Sequence, residues 1–177
     1  ELVLTPTGWV TIGDIKIGDQ VRCPDNSIAF VNGVFPQGIV RTYSFKFKGV
    51  EKPFVCCREH LWEISINGKV SVVDSRSLYE HFNWLIEGSI QVPRVDVNSD
   101  YSVTNERLVD IESIQEHSEE ECTCISITHP RKVYVTTDGI VTHNTYCSLT
   151  SSAFHGDRLA ICIESRFFSL WAEALDP

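Results

Sequence analysis

The sequence contains no apolar run long enough to cross a bilayer, and it opens on no basic leader followed by an apolar stretch. Positive charge is also scarce: 15 Lys+Arg stand against 24 Asp+Glu, a formal net charge of −9 over 177 residues. Nucleic acid and anionic lipid are themselves negative, so neither is an expected partner, and the chain reads as a cytoplasmic monomer. There is no internal repeat and no low-complexity segment. A disulfide framework is not expected either. Seven cysteines is an odd number, and a chain of this length can bury a core without covalent staples. Cys56 and Cys57 are adjacent and do not readily pair, and Cys122-x-Cys124 is tighter than zinc-ribbon spacing. Buried, inert thiols are the simplest reading of Cys23, Cys56, Cys122, Cys147 and Cys162.

Short alternating runs separated by turn signals fill the first two-thirds of the chain. Strands are expected at Leu2–Leu4, Trp9–Ile12, Asp19–Val21, Ala29–Val31, Arg41–Phe47, Phe54–Cys57, Leu61–Ile66, Ile90–Val97, Arg107–Ile114, Cys124–Ile127, Val133–Val135 and Gly139–Val141. Turns are expected at Gly13-Asp14, Gly18-Asp19, Pro24-Asp-Asn26, Asn32-Gly33, Pro36-Gln-Gly38 and Asn67-Gly68, and the acidic run Glu116–Glu121 reads as a solvated turn. One helix is expected over Ser75–Leu85, where Leu78, Phe82 and Leu85 share a face and Ser75 can cap the first turn. This pattern means a mainly β fold. After Asn144 the character changes to helix, buried strand (Arg158–Ile163) and helix (Phe167–Leu175), so a domain boundary is placed at Asn144/Thr145.

The segment Gly139-Ile-Val-Thr-His-Asn-Thr145 carries chemistry. An Asn side-chain amide can attack its own backbone carbonyl, forming a succinimide and cutting the chain. The reaction gains from an imidazole that moves protons, and the next residue can supply a hydroxyl acceptor. His143, Asn144 and Thr145 are these three groups in order. A His-Asn-Thr tripeptide alone is a weak signal.

Its context is stronger. The segments Leu4–Val21, Phe54-Val-Cys-Cys-Arg-Glu-His-Leu-Trp62, Glu121-Cys-Thr-Cys-Ile-Ser-Ile127 and Val133–Asn144 occur in the order of four blocks of the inteins, within the Hint superfamily. Residues 1–144 resemble that family essentially throughout, which implies the horseshoe-like Hint β fold and autocatalytic protein splicing without a cofactor or metal. Cys57 stands where most inteins have the Thr of Thr-x-x-His, and Glu1 falls a few residues inside the first block, so the upstream junction is expected outside this sequence. In that state Asn144 could cut but not splice. The implied partners are the chain's own flanking exteins, or a complementary N-terminal intein fragment.

Trp62, Cys124 and Thr142 occupy the positions of the Trp, Cys and Thr that mark class 3 inteins, common in phage proteins. The resemblance implies that Cys124 attacks the upstream peptide bond and holds the upstream chain as a branched thioester. Thr145 then takes the chain and Asn144 cyclises. A thiolate is the strongest nucleophile available near neutral pH, and an oriented intramolecular attack can lower the barrier by roughly 7–11 kcal/mol. His60 is the candidate acid for the leaving amine, with Cys57 a secondary candidate at the site. Backbone N–H groups or the Thr142 hydroxyl could hold the oxyanion, and Trp62 is expected to pack beside Cys124 and exclude water. About 60 residues separate Trp62 from Cys122, too few for a homing endonuclease domain, so a mini-intein is implied.

Residues 145–177 resemble the helix and strand after the Walker A loop of P-loop ATPases, with Thr145 as both splicing acceptor and future Mg²⁺-binding hydroxyl. Other readings remain open at this point. One is a non-catalytic β module fused to an ATPase fragment; another is a metal site from Cys56, Cys57, His60 and Cys124. His81, His117, His129 and His155 are expected on the surface.

Overall fold

Asn67 and Gly68 both take positive φ, 49° and 80°, which closes a tight hairpin between β6 (Leu61–Ile66) and β7 (Lys69–Asp74). Turns with two positive φ angles match the right-handed twist of paired strands, so this Asn-Gly acts as its sequence predicts. The computed structural model describes residues 1–82 and 90–143. Asn144, Thr145, the downstream α/β segment and the end of the expected helix lie outside the described residues.

The remaining elements are β1 (Leu2–Thr5), β2 (Gly8–Thr11), β3 (Gln20–Arg22), β4 (Ile28–Phe47), β5 (Phe54–Cys57), α1 (Ser75–His81), β8 (Ile90–Val97), β9 (Val103–Ile127), β10 (Val133–Val135) and β11 (Val141–His143). A hairpin of β1 and β2 stands beside a nine-stranded antiparallel sheet. The sheet runs β10-β11-β6-β8-β9-β4-β3, with β5 on β4 and β7 on β6. Isolated bridges Val3↔Thr136 and Arg94↔Ile140 tie distant parts of the chain together.

Two strands are much longer than expected, and both depart from the sequence reading for one reason. Asn32-Gly33 and Pro36-Gln-Gly38 do not turn the chain. They are irregularities inside the 20-residue β4, where the register with β9 shifts between Val31 and Gly33 and between Pro36 and Gly38. Glycine and proline punctuate a bulge as readily as a turn, and only the partner strand decides which forms. The acidic run is likewise strand, with Glu119, Glu120 and Glu121 opposite Arg41, Val40 and Ile39. This part of the β4/β9 ribbon leaves its side chains exposed, so acidic residues cost nothing there. Two smaller corrections concern caps and ends. Asp74 caps α1 by accepting from Ser77 N at 2.9 Å, while Ser75 is buried. Thr137–Gly139 forms a 3-10 turn, and the last strand starts at Val141.

Three apolar clusters form the core. The largest gathers Phe45, Phe47, Phe54, Trp62, Ile64 and Leu78 between β4, β5, β6 and α1. A second joins Val21, Val31, Ile125, Ile127 and Tyr134, and a third joins Leu4, Val95, Val133 and Val141. Trp62, Phe45 and Phe47 are fully buried. Each such side chain contributes about 2–3 kcal/mol by leaving water.

Candidate functional site

After β5, the chain turns tightly from Cys57 to His60, with His60 N donating to Cys57 O at 3.2 Å, and enters β6. The carbonyl of His60 accepts from both Ser75 N (2.9 Å) and Ser75 Oγ (3.1 Å), which pins the turn to the start of α1. The same Ser75 hydroxyl accepts from Trp62 Nε1 at 2.8 Å and contacts Cys56 Sγ at 3.2 Å. The His60 ring is gripped edge-to-face by Trp62 at 4.9 Å and leans on Phe54 at 5.8 Å. Burial, helped by the neighbouring His143, pushes its pKa down to about 3. His60 is therefore neutral near pH 7, and its buried Nε2 has no hydrogen-bond partner among the described residues.

His60 faces a pocket of about 310 Å³ between β5 and β9. Cys57, Cys122, Cys124, Tyr134 and Glu1 also line it. Cys57 and Cys124 are 4% and 6% exposed, whereas Cys122 is half-buried. The neighbouring Cys122 thiol, with burial adding to the effect, holds Cys57 up at about 12, while Cys124 acts the other way. Cys57 in turn lowers the pKa of Cys122.

The far end of the domain reaches the same place. The β11 residue His143 pairs with Leu61 of β6, next to His60. Thr142 is fully buried and lies directly across the ladder from Tyr134. Its Oγ1 has no hydrogen bond of good geometry among the described residues, although the Tyr134 phenol is close enough to feel it. Burial holds that phenol well above its ordinary pKa.

Two expected arrangements come out differently. Trp62 meets the site through His60, Phe54 and Ser75. Cys56 Sγ is engaged by Ser75 Oγ at 3.2 Å, although Cys56 and Cys57 both line the pocket. Among the described residues no three His, Cys, Asp or Glu side chains converge as metal ligands, which removes the geometric basis for a Cys56, Cys57, His60 and Cys124 site.

No family model and no curated protein matches this sequence. Solved structures do. The MchDnaB-1 intein superposes with a TM-score of 0.58 at 23% identity, over 81% of this chain and 100% of that one. The gp41-1 intein gives 0.57 at 22% identity, over 81% and 93%. The chain has the intein fold. The DnaX mini-intein of Spirulina platensis adds a TM-score of 0.55 at 19% identity, over 81% and 95%. The intein fold agrees with the Hint architecture expected from the sequence blocks.

Sequence reasoning missed three site residues. Ser75 was read as a helix cap, and Tyr134 as an ordinary strand residue. Cys122 was read as an inert buried thiol, yet it is half-buried and lines the pocket. The one available signal was the spacing of Cys122 and Cys124, which puts both on one face of a strand. His129 also departs from expectation: it is only 8% exposed, with Nε2 3.3 Å from Asp25 Oδ2. His155, Cys147 and Cys162 lie outside the described residues.

Proposed function

We propose that this chain is a protein-splicing domain in which Cys124 opens the reaction. The observation that carries this reading is that His60 and Cys124 line one pocket while the β11–β6 pairing at His143↔Leu61 brings His143 beside His60 and β11 sets Thr142 across from the pocket-lining Tyr134. These residues lie far apart in the sequence, and packing alone does not require a buried imidazole with a nitrogen unpartnered among the described residues.

Glu1 forms one wall of the pocket, so a chain arriving at β1 from upstream passes alongside Cys124. The Cys124 sulfur attacks the upstream carbonyl carbon, the C–N bond breaks, and the thiol proton ends on the leaving amine. A neutral His60 is a weak base in isolation. A thiolate forming beside it supplies the counter-charge that lets the imidazole take the proton and pass it on. Trp62 and Ser75 hold that ring in place. The Tyr134 hydroxyl, which lines the pocket, and the Thr142 hydroxyl beside it are assigned to meet a developing oxyanion. Thr145 Oγ then displaces Cys124 from the thioester. The Asn144 amide nitrogen attacks the Asn144 carbonyl carbon with help from His143, which releases the segment beginning at Thr145 and leaves a succinimide. The ester on Thr145 finally shifts to its freed amine. This is the class 3 order of events, in a mini-intein seated in a P-loop ATPase of phage type.

Intact-mass spectrometry tests it. A chain extended upstream of Glu1 by its native flank should give a joined product and an excised segment. Cys124→Ala should remove the joined product while cleavage after Asn144 persists. A joined product from the Cys124→Ala chain would overturn the assignment of Cys124, and unchanged mass for the extended chain would overturn splicing itself.

A further inference from the structure

Cleavage after Asn144 needs His143 held steady, and the strand that carries it is only three residues long. His143 pairs with Val133 of β10 on one side and with Leu61 of β6 on the other. It is therefore the middle of a rung whose two flanks are β10 and β6. Arg131, two residues before β10, ties those flanks to each other. Its Nη2 donates to Glu63 Oε1 of β6 at 2.7 Å and to Glu106 Oε1 of β9 at 2.9 Å, and its Nη1 donates to Glu106 Oε2 at 3.3 Å. We infer that Arg131 is a positioning residue for cleavage after Asn144: gripped by Glu63 and Glu106, it keeps β10 and β6 closed on β11 and so fixes His143. This inference rests on the splicing reading.

The contact differs from an ordinary surface ion pair in geometry and in place. One guanidinium bridges two carboxylates and engages both oxygens of Glu106, which fixes its orientation as a single pair would not. Glu63 is only 15% exposed, so water competes weakly for it. The place is the open end of the β10–β11 hairpin. At the closed end the bridges Val3↔Thr136 and Arg94↔Ile140 hold the chain to β1 and β8. At the open end the Leu61 pairing and the Arg131 contacts hold it to β6. A misplacement of about 1 Å can cost a reacting group about a hundredfold in rate, so a slight parting of the flanks is felt at His143. Attack by Cys124 uses the pocket between β5 and β9, and the turn at His60 is pinned by Ser75 independently of β11. The two chemical steps should therefore respond differently to loss of Arg131.

Hydrogen exchange of the full chain, followed by NMR, reads the clamp directly. In Arg131→Gln the β11 amides should exchange about tenfold faster, while the Val31 amide, bonded to Asp19 O at 2.8 Å, keeps its parent rate. In the upstream-extended chain, release of the segment beginning at Thr145 should slow about tenfold, while capture of the upstream chain on Cys124 stays within about twofold. Glu63→Gln should slow release as well, and the double variant should be no slower than Arg131→Gln alone, because both changes act through one contact. Faster Val31 exchange, or equal slowing of both steps, would mean general loosening and overturns the positioning role. Unchanged β11 exchange, unchanged release, or multiplying effects in the double variant overturn the clamp. Absence of release in the parent chain overturns the splicing reading instead, and β11 exchange still decides whether Arg131 holds the strand.

Discussion

Lowering the pH should destabilise this protein through His60, in a window set by two pKa values. The imidazole is held at about 3 in the folded state, mainly by burial and secondly by His143, against an ordinary value of 6.5 in the unfolded chain. The folded state therefore binds fewer protons below pH 6.5. Stability from this group is fully present above 6.5 and drains away as pH falls towards 3, where the loss levels off. Each pH unit inside the window costs about 1.4 kcal/mol, so about 2 kcal/mol is lost by pH 5, approaching about 5 kcal/mol when the folded site itself titrates. Urea unfolding at about pH 8, 6 and 5, followed by circular dichroism, measures the loss. Other groups titrate in the same range, so His60→Phe is the control: Phe keeps an aromatic ring between Phe54 and Trp62 but has no proton to bind. The stability difference between the two chains should change by about 2 kcal/mol from pH 8 to pH 5. If it changes by less than about 0.5 kcal/mol, His60 is not held neutral, and its depressed pKa cannot be part of the site.

Three other outcomes are expected. Ser75→Ala leaves the fully buried Trp62 Nε1 without its acceptor and should cost about 1–3 kcal/mol. In a Trp62→Phe background, where no indole donor is orphaned, the same change should cost about 1 kcal/mol less, and strict additivity in denaturant titrations would show that the hydrogen bond carries no energy. Gly139 has φ +75° and packs its Cα against the backbone carbonyl of Val95, so Gly139→Ala should lose at least about 2 kcal/mol, whereas Ala at the open Gly13 should stay within about 1 kcal/mol of the parent by the same assay. Asn144→Ala should abolish release of the segment that begins at Thr145, with the parent chain showing slow release and a succinimide-terminated domain by mass spectrometry; release from the Ala chain would place the cleavage chemistry elsewhere.

Local sequence was sufficient wherever a strand is short and its turn is closed by its own residues. Phe54–Cys57, Leu61–Ile66, Ile90–Val97 and Val133–Val135 match their expected bounds, and Asn67-Gly68 turns as read, because alternation and positive-φ preference act within a few residues. The block order also pointed to Cys124, His60, Trp62, Thr142 and His143 before any geometry was known. Tertiary structure decided what depends on a distant partner. Pro36-Gln-Gly38 is a bulge because β9 runs beside it, and the acidic run is strand because β4 does. The low pKa of His60 comes from Phe54, Trp62 and β11 closing over it, and Cys57 and Cys122 share a pocket only because β5 and β9 both line it. Burial and a shared pocket are properties of the space between strands, which no local pattern of residues encodes.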